Sequence, residues 1–577
     1  MSADHPRKDP SGLATETILL WAAIILVVSI VGSLYVTIHL GHRLAGTGID
    51  VPSDPFSLVF ELARGTVPWP GAWGWGVLTG VVFVIISLGI LGGWLTHRIR
   101  YGKTRVDRAA GRLGRGRDIE GIRTKDVTAK AERLGITASP GVLIGKSVST
   151  GAMLYGSWED MHIDIWGPRT GKTTSRAVPA ILDAPGAVVV TSNKRDVVDA
   201  TRDPRADKGP VWVFDPQGIA LEEPTWWWNP LSYVTDEVRA AKLAEHFAAG
   251  SREPGARTDA YFDPAGQDLL AGLLLAAALA NYPITETYTW LTRPGDEHPV
   301  DILRQHGFDL TADQVAGVIA APDKQRGGVY GTAQQMASCL TNRQILPWIT
   351  PSGKPRPEFD PSEFVREDGG TLYSLSKEGR GTAGPLVTAL TVAVAEAAEE
   401  LATRSPGGRL PTPMLGVLDE AANVCRWRDL PDQYSHYGSR GIILMTILQS
   451  WAQGIDVWGE SGMKKLWSAS NIKVYGGGVS DAGFLEDLSR LIGDYDRVSS
   501  STSTSRGQRT ISHQLQRERI LDIADLAALP RGRAIVLASG ARPTMITTIP
   551  WMSGPHAPAV RASLAAHDPS RQQETTK

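Results

Sequence analysis

The chain contains almost no cysteine and carries almost no net charge. Its 577 residues include two cysteines, Cys339 and Cys425. Both lie in segments predicted to be cytoplasmic, where a disulfide would not persist, so we expect reduced thiols. The formal net charge of -2 excludes a basic field over the whole molecule. Any nucleic-acid contact must therefore come from local patches or from loops lining a channel.

Two long stretches, at about 18–38 and 73–96, lack charged residues altogether. Each is apolar and long enough as a helix to cross a hydrocarbon core of roughly 30 Å. A signal peptide is the less favoured interpretation of the first stretch, because its apolar run would be shorter and no second span would follow. The sequence therefore predicts two transmembrane helices within 16–97, joined by an extracytoplasmic loop.

A run of basic residues directly follows the second span, and Asp107 is the one acid within it. The positive-inside bias predicts that 1–15 is a cytoplasmic tail and 98–145 a basic juxtamembrane linker. Everything beyond the spans is then cytoplasmic, in a multi-pass protein of the inner (cell) membrane. Topology and contact with lipid headgroups are favoured over nucleic-acid binding for this run. It consists of Arg98, Arg100, Lys103, Arg105, Arg108, Arg112, Arg115 and Arg117.

From about residue 146, short apolar runs alternate with helical stretches, which predicts a mostly parallel sheet with helices on both faces. We predict an α/β fold whose first half, 146–235, is separated from its second half, 351–555, by an all-α domain at 236–350. The polar segment 556–577 is predicted to be a disordered tail. The predicted strands are 162–166, 187–191, 211–214, 370–375, 415–418, 441–447 and 472–475.

The first predicted strand and the helix behind it, Lys172–Leu182, enclose a glycine-containing loop. Backbone N–H groups in such a turn form an anion site together with the helix N-terminus; Lys172 would reach the β and γ phosphates of ATP and Thr173 would bind Mg²⁺. Trp166 stands where the first glycine is usual. Either Gly167 makes the sharp exit from the strand, or Trp166 is tolerated because only later N–H groups touch phosphate. The predicted nucleotide-binding residues are Gly167, Pro168, Arg169, Thr170, Gly171, Lys172, Thr173 and Thr174.

Two carboxylates, Asp419 and Glu420, follow the apolar run Met414–Leu418. At the end of a strand beside the phosphate loop, Asp419 would hold Mg²⁺ and Glu420 would polarise the attacking water. An ordinary transition from a strand to a loop could show the same pair of carboxylates. Because the chain also has the glycine loop, the pair is expected to complete an ATP site.

Arg440 precedes, and Gln449 ends, the next predicted strand. Arg440 could reach the γ phosphate of a neighbouring subunit and neutralise charge during hydrolysis, or it could form a surface salt bridge; the spacing favours neither. Gln449 at the strand tip is placed to sense the γ phosphate.

From residue 146 to about 553 the chain resembles the TraG/TraD family of type IV coupling proteins, which are membrane-bound ATPases. Two N-terminal spans and a helical insertion complete the resemblance. The motifs that carry it are Asn193–Asp196, Val213–Pro216, Trp228–Leu231, Asp419–Asn423, Leu430–Pro431, Ser439–Gly441 and Gln449–Ser450.

This resemblance implies a RecA-like motor domain that hydrolyses ATP with Mg²⁺ and assembles as a homohexamer. It implies catalytic roles for Glu420, Arg440 and Gln449, and metal binding by Thr173 and Asp419. The implied partners are single-stranded DNA carried by a relaxase, in the relaxosome, and the components of a type IV secretion channel used in conjugation. Trp166 is the departure from the family pattern.

Two other functions remain open. A double-stranded DNA translocase of the FtsK/HerA kind shares the core, although it would normally carry a winged-helix module or a long linker, and neither is recognisable. The second is a docking platform that binds nucleotide with little turnover. The presence of Glu420 argues against this function, whereas Trp166 at the position of the first glycine is compatible with it.

Three further features have a structural interpretation that is favoured over a functional one. We predict that Trp226–Trp228 packs at a domain junction rather than forming a stacking platform for DNA. We predict that His162 is a strand histidine with its hydrogen bonds satisfied, rather than a residue that contacts the nucleotide base. Ser499–Ser505, followed by Arg506, Arg509, Arg517 and Arg519, predicts a solvated hairpin tip rather than a loop that tracks phosphates.

Overall fold

The structure, a computed structural model, describes residues 15–101, 105–251, 259–351, 353, 355–367, 369–379, 381–505 and 508–570. The chain forms two compact units. One consists of the residues up to 107 together with 494–518, and the other of 108–493 together with the residues from 519 onwards. Lys103, Arg506, the segment 1–14 and the last residues of the tail, 571–577, lie outside the described residues.

The strands are numbered in chain order. They are β1 (Val142–Ser147), β2 (Met153–Gly156), β3 (His162–Ile165), β4 (Val188–Ser192), β5 (Val211–Phe214), β6 (Thr371–Leu375), β7 (Met414–Leu418), β8 (Ile442–Leu448), β9 (Ile472–Tyr475), β10 (Asp494–Ser505), β11 (Gln508–Arg519), β12 (Arg533–Ala538) and β13 (Thr544–Thr547).

The α-helices are numbered in the same way. They are α1 (Thr15–Ala45), α2 (Pro55–Arg64), α3 (Gly71–Tyr101), α4 (Thr124–Arg133), α5 (Val178–Asp183), α6 (Asp196–Ala206), α7 (Glu237–Ser251), α8 (Phe262–Leu279), α9 (Thr285–Leu291), α10 (His298–Gln305), α11 (Asp309–Ile319), α12 (Asp323–Met336), α13 (Leu346–Ile349), α14 (Pro361–Arg366), α15 (Gly384–Arg404), α16 (Ala421–Val424), α17 (Leu430–Gln433), α18 (Trp451–Ala469), α19 (Ala482–Ile492), α20 (Ile523–Ala527) and α21 (Ala557–Ala566).

In the first unit, α1 and α3 contain the two predicted spans. The stretches Ala23–Ala45 and Gly71–Trp94 are long and apolar enough to cross a membrane, and their large side chains are exposed: Ile25 is 62% and Phe83 70% accessible. A third described helix, α8, also passes by length and composition, but half of it is buried among other helices of the second unit. The N-terminal helices therefore have the surface of lipid-facing segments.

The second unit is built on an 11-stranded sheet in the order β2-β1-β13-β12-β9-β3-β8-β7-β4-β6-β5, counted over the described residues. The seven strands from β9 to β5 are parallel, and β12, β13, β1 and β2 continue the sheet in antiparallel fashion. The central strands β4, β7 and β8 are entirely buried, as their continuous apolar runs predict. The mixed α/β fold class predicted from the sequence is confirmed.

Between β5 and β6, the described residues form helices and connecting loops and contain none of the numbered strands. They include α8, whose Leu, Ala and Gly residues pack against α7 and α12. Because β5 and β6 are neighbours at one end of the sheet, the helical segment leaves and re-enters at that edge.

The predicted linker 98–145 differs from what the structure shows over its second part. Residues 116–119 form a helical turn, α4 follows, and Ile119 and Ile122 are buried in a cluster with strands β9, β12 and β13. The N–H of Arg542 donates to the carbonyl of Asp118 at 2.9 Å. The sequence did not reveal this folded segment, because it is rich in basic residues and its few apolar residues contact strands about 350 or more positions away.

The predicted disordered tail at 556–577 also requires correction. Its first part forms α21, which packs against α6; Val560 is fully buried in the main core and the Ser563 hydroxyl donates to the carbonyl of Asp199 at 2.6 Å. His567 contacts Asp203 at 2.9 Å. The helix is short and its buried face consists of small residues, so its hydropathy does not distinguish it from a polar tail.

Candidate active site

The phosphate loop connects β3 to a π-helical turn, Thr173–Ala177, that leads into α5. Two residues have positive φ, Arg169 at 59° and Gly171 at 100°. The Thr170 hydroxyl donates to the carbonyl of Gly167 at 2.5 Å, which tightens the turn. Positive φ at the alternate residues Arg169 and Gly171, before right-handed Lys172, is the backbone pattern expected of an anion-binding nest.

Gly167 makes the close backbone approach at the exit from β3. Its N–H donates to the carbonyl of Gly477 at 2.9 Å, and a Cβ at Gly167 would overlap the carbonyl oxygen of Gly478. Trp166 is fully buried, with its side chain in the cluster under β9 and β12. Of the two interpretations of the shifted glycine, this geometry favours the first.

Lys172 lies between the two carboxylates that follow β7. Its ammonium forms ion pairs with Glu420 Oε1 and, at 3.1 Å, with Asp419 Oδ1. All three side chains are at least nine-tenths buried. The Thr173 hydroxyl lies 3.5 Å from Asp419 Oδ2. The parallel register of β3, β8 and β7 thus brings together residues that the sequence separates by nearly 250 positions.

Burial and charge act in opposite directions at this ion pair. Burial raises the pKa of Asp419, and the ammonium of Lys172 opposes that rise only in part. Burial alone would lower the pKa of Lys172, but the charges of Asp419 and Glu420 outweigh it and raise that pKa. Lys172 is therefore held as a cation, the form that binds phosphate.

Glu420 has a left-handed backbone, with φ 56° and ψ 40°, directly before the short helix α16. Such a conformation costs a non-glycine residue on the order of 1–2 kcal/mol, and strain of this kind is concentrated at functional sites. The Glu420 carboxylate also accepts from Gln449 Nε2, at 2.8 and 2.7 Å to its two oxygens. Gln449 directly follows β8, next to β7, so the strand tip places it as the sequence predicted.

Arg440 does not belong to this cluster. It precedes β8 at the opposite end of the strand from Gln449, on the order of 20 Å away at the usual rise per residue. There it donates to the Thr403 hydroxyl at 2.8 Å and lies 3.4 Å from Glu399 Oε1. It borders a polar cavity of about 590 Å³ at the C-terminal end of α15. Arg440 therefore forms the surface salt bridge, and it cannot reach the cluster of Lys172, Asp419 and Glu420 in its own chain.

Three polar residues near Glu420 were missed by the sequence analysis as site residues. Asn423 Nδ2 lies 3.4 Å from Glu420 Oε2 and donates at 3.0 Å to Glu378 Oε1. Asn193 Nδ2 donates to the same Glu378 oxygen at 2.7 Å. Asn193 and Asn423 stand in the motifs that carry the family resemblance, which was an available signal. Glu378 has no such motif.

The features with a favoured structural interpretation pack as that interpretation predicts. Trp226 is buried against Trp212, Trp348 and Phe359, with ring centroids 5.2–5.8 Å apart. His162 fits that interpretation on one side of its ring: Nδ1 lies 3.2 Å from an Arg176 guanidinium nitrogen, whereas Nε2 is buried with no hydrogen-bond partner among the described residues, and burial lowers the pKa of the imidazole well below its usual range.

The hairpin of β10 and β11 contains the predicted Ser/Thr run, whose side chains lie outside the described ones. In the described part of this hairpin, Arg517 pairs with Asp494 at 3.1 Å and Arg497 pairs with Glu518 at 3.1 Å. Arg519, the last residue of β11, pairs with Glu486 at 2.6 Å. These ion pairs reduce the positive charge that this part of the chain offers to a phosphate.

The side chains around the loop fit a nucleotide with Mg²⁺. A hydroxyl and a carboxylate, Thr173 and Asp419, are the oxygen ligands that Mg²⁺ prefers, and Lys172 supplies the cation beside the anion-binding turn. The fold and this cluster are suited to the class of nucleotide-binding proteins that have a phosphate loop.

Comparisons with known proteins agree with that class. Residues 413–531 match the family described as "TraM recognition site of TraD and TraG". No curated protein matches the chain. Among solved structures, the unbound bacterial conjugative coupling protein TrwBdeltaN70 is 18% identical, covers 73% of this chain and 91% of its own, and superposes with a TM-score of 0.53.

Two further structures are of the plasmid coupling protein TrwB with nucleotide. The complex with the non-hydrolysable ATP analogue ADPNP is 17% identical, and the complex with ADP and Mg²⁺ is 18% identical; both cover 73% of this chain and 92% of their own. Their TM-scores are 0.51 and 0.50. At such identities the likeness establishes the fold. Together with the family match, it confirms the predicted resemblance to TraG/TraD-type coupling proteins.

Proposed function

We propose that the chain is a membrane-anchored ATPase coupling protein. It recruits DNA, as a relaxase-bound single strand, to a type IV secretion channel in conjugation and drives the transfer by ATP hydrolysis. The observation that carries the proposal is the convergence of Lys172, Asp419, Glu420 and Gln449 at one edge of a RecA-like sheet. The family match over 413–531 and the fold of TrwB support the coupling role.

The roles follow from the chemistry of each side chain. Lys172 and the N–H groups of residues 169–174 hold the phosphates, and Thr173 and Asp419 hold Mg²⁺. When bound, Mg²⁺ neutralises charge on the phosphate oxygens. Glu420 accepts a hydrogen bond from the water that attacks the γ phosphorus, and the bond to the β-phosphate oxygen breaks. Gln449 senses the γ phosphate, since its amide donors already reach Glu420 at the strand tip.

Arg440 acts on the site of a neighbouring subunit in a homohexamer, where it neutralises charge as the phosphate bond breaks. Its distance from the site of its own chain supports this assignment, because a residue that acts in trans stands at the subunit surface. The helices α1 and α3 anchor the hexamer in the inner membrane, with both chain ends and the ATPase domains in the cytoplasm.

The test is ATP hydrolysis by the full-length chain in lipid nanodiscs, with no DNA, with single-stranded DNA and with duplex DNA. We expect turnover that rises with single-stranded DNA. Glu420→Gln should bind ATP without hydrolysing it, and Lys172→Ala should lose binding, while Lys194→Ala, an exposed lysine near the same sheet edge, should leave both unchanged.

Each contrary outcome identifies a different function. Stimulation by duplex DNA alone would replace the proposal with a translocase of the FtsK/HerA kind. ATP binding without turnover in an assembled oligomer would replace it with a docking platform.

A further inference from the structure

Several sheet-edge residues that the proposed mechanism does not use contact the segment after β6. Gln217, which follows β5, accepts hydrogen bonds through its Oε1 from the Ser376 hydroxyl at 3.1 Å, from the Lys377 N–H at 2.9 Å and from the Ala383 N–H at 3.2 Å. One amide oxygen therefore fixes both ends of a loop, 376–383, at the edge of the sheet where Glu420 lies.

Glu378 in this loop is linked to Glu420 through Asn423. Its Oε1 accepts from Asn193 Nδ2 at 2.7 Å and from Asn423 Nδ2 at 3.0 Å. The Asn423 nitrogen lies 3.4 Å from Glu420 Oε2, beyond the usual length of an N–H···O bond. The Asn423 amide nitrogen carries two N–H groups, so it bridges the two carboxylates, with the shorter bond to Glu378 and the longer one to Glu420.

The length of the bond to Glu420 matters because other donors also contact its carboxylate in this structure. Lys172 and Gln449 both donate to its carboxylate. A carboxylate that orients water needs an accessible lone pair in the right direction, and a further strong donor would remove one. We infer that Glu378 is a positioning residue for ATP hydrolysis, which holds the Asn423 amide away from the catalytic Glu420 carboxylate. This inference rests on the proposed function.

Loss of Glu378 should let the Asn423 amide close on Glu420 and weaken it as a hydrogen-bond acceptor for water. A side-chain hydrogen bond of ordinary strength corresponds to a decrease in kcat of about fivefold to tenfold. Phosphate binding depends on other residues, so the KM for ATP and the affinity for nucleotide should stay within about twofold. Glu378→Gln keeps an acceptor oxygen for Asn423 and should retain most of the activity.

The experiment is a double-mutant cycle on the full-length chain in nanodiscs, with Glu378→Ala, Asn423→Ala and both together. We measure kcat, KM, affinity for a fluorescent ATP analogue, and hydrogen–deuterium exchange of 376–384 and 421–425. If Glu378 acts through Asn423, the Glu378→Ala loss should disappear in the Asn423→Ala background. Exchange in both segments should rise in Glu378→Ala. Glu132→Ala, an exposed carboxylate on α4, is the matched control.

Two results would overturn the inference. One is an unchanged kcat in Glu378→Ala; the other is an equal loss with and without Asn423, which would mean that Glu378 acts on something else. A wild-type chain that hydrolyses no ATP in any condition would instead contradict the proposed function, and the inference would fall with it.

Discussion

The indole of Trp166 packs directly against the backbone of Gly476. The two residues follow the paired ends of β3 and β9, where Ile165 lies opposite Tyr475, and a Cβ on Gly476 would overlap the indole ring. The glycine at 476 therefore accommodates the tryptophan that replaces the usual first glycine of the phosphate loop. The Trp166 side chain packs in the core, and Gly167 makes the turn into the phosphate loop.

This relationship predicts that restoring the usual glycine will damage the protein. Trp166→Gly leaves a large cavity in the cluster under β9 and β12, and we expect a loss of about 3–5 kcal/mol in unfolding free energy, with no gain in ATP affinity. The measurement is the thermal unfolding midpoint together with fluorescent-nucleotide binding. Trp227→Ala, at a partly exposed tryptophan, should lower the midpoint less. Tighter ATP binding by a stable Trp166→Gly chain would show that Trp166 impairs the loop.

The sequence predicted the parts of the site that depend on short patterns. A strand, a glycine loop and a helix are neighbours in the chain, so Lys172 and Thr173 could be assigned to a phosphate loop. The apolar run before Asp419 and Glu420 indicated that both carboxylates follow a strand. Glu378 could not be predicted, because its partners Asn193 and Asn423 lie in distant segments, and nothing in its local sequence separates it from any other exposed glutamate. The order of the strands was equally hidden, since β1 pairs with β13 across almost the whole length of the chain.

The helix α21 is expected to stabilise the second unit. Val560→Asp puts an unpaired carboxylate into the main core and should cost about 3–5 kcal/mol. Ala559→Asp, on the exposed side of the same helix, adds the same charge and should change stability by less than about 0.5 kcal/mol. The thermal unfolding midpoints of the two variants check this. Equal midpoints would mean that α21 contributes nothing to the fold.

Acid should destabilise the unit that contains His246. Burial lowers the pKa of His246 to about 3, whereas an unfolded chain has a histidine pKa of about 6.5. Between these values the unfolded chain binds a proton that the folded chain does not, so the stabilisation is complete above about pH 6.5 and is lost as pH falls.

His246→Gln removes this proton uptake. The fall in unfolding free energy between pH 7 and pH 5 should then be smaller by about 2 kcal/mol. The measurement is the unfolding midpoint across this range. His436→Gln, at an exposed histidine, is the control for the substitution itself. The same slope in both variants would show that His246 is protonated in the folded chain.

Arg440 gives the sharpest test of assembly, because its proposed target lies in another subunit. Arg440→Ala should lower kcat by about a thousandfold or more while ATP binding stays intact, as expected for loss of an arginine that acts in trans. Arg404→Ala removes a neighbouring exposed arginine at the end of α15 and should keep normal turnover. Normal turnover by Arg440→Ala in an oligomer verified by native mass spectrometry would contradict the role in trans.

Mixing two inactive variants separates action in trans from action in cis. Arg440→Ala keeps an intact site but presents no arginine to its neighbour, whereas Glu420→Gln has a defective site and an intact Arg440. A site formed by an Arg440→Ala subunit and a Glu420→Gln neighbour that supplies the arginine has every catalytic group. Co-assembled mixtures should therefore recover part of the wild-type rate, in proportion to the number of such pairs. If Arg440 acted within its own chain, every subunit in the mixture would lack one group, and no ratio of the two variants would restore hydrolysis.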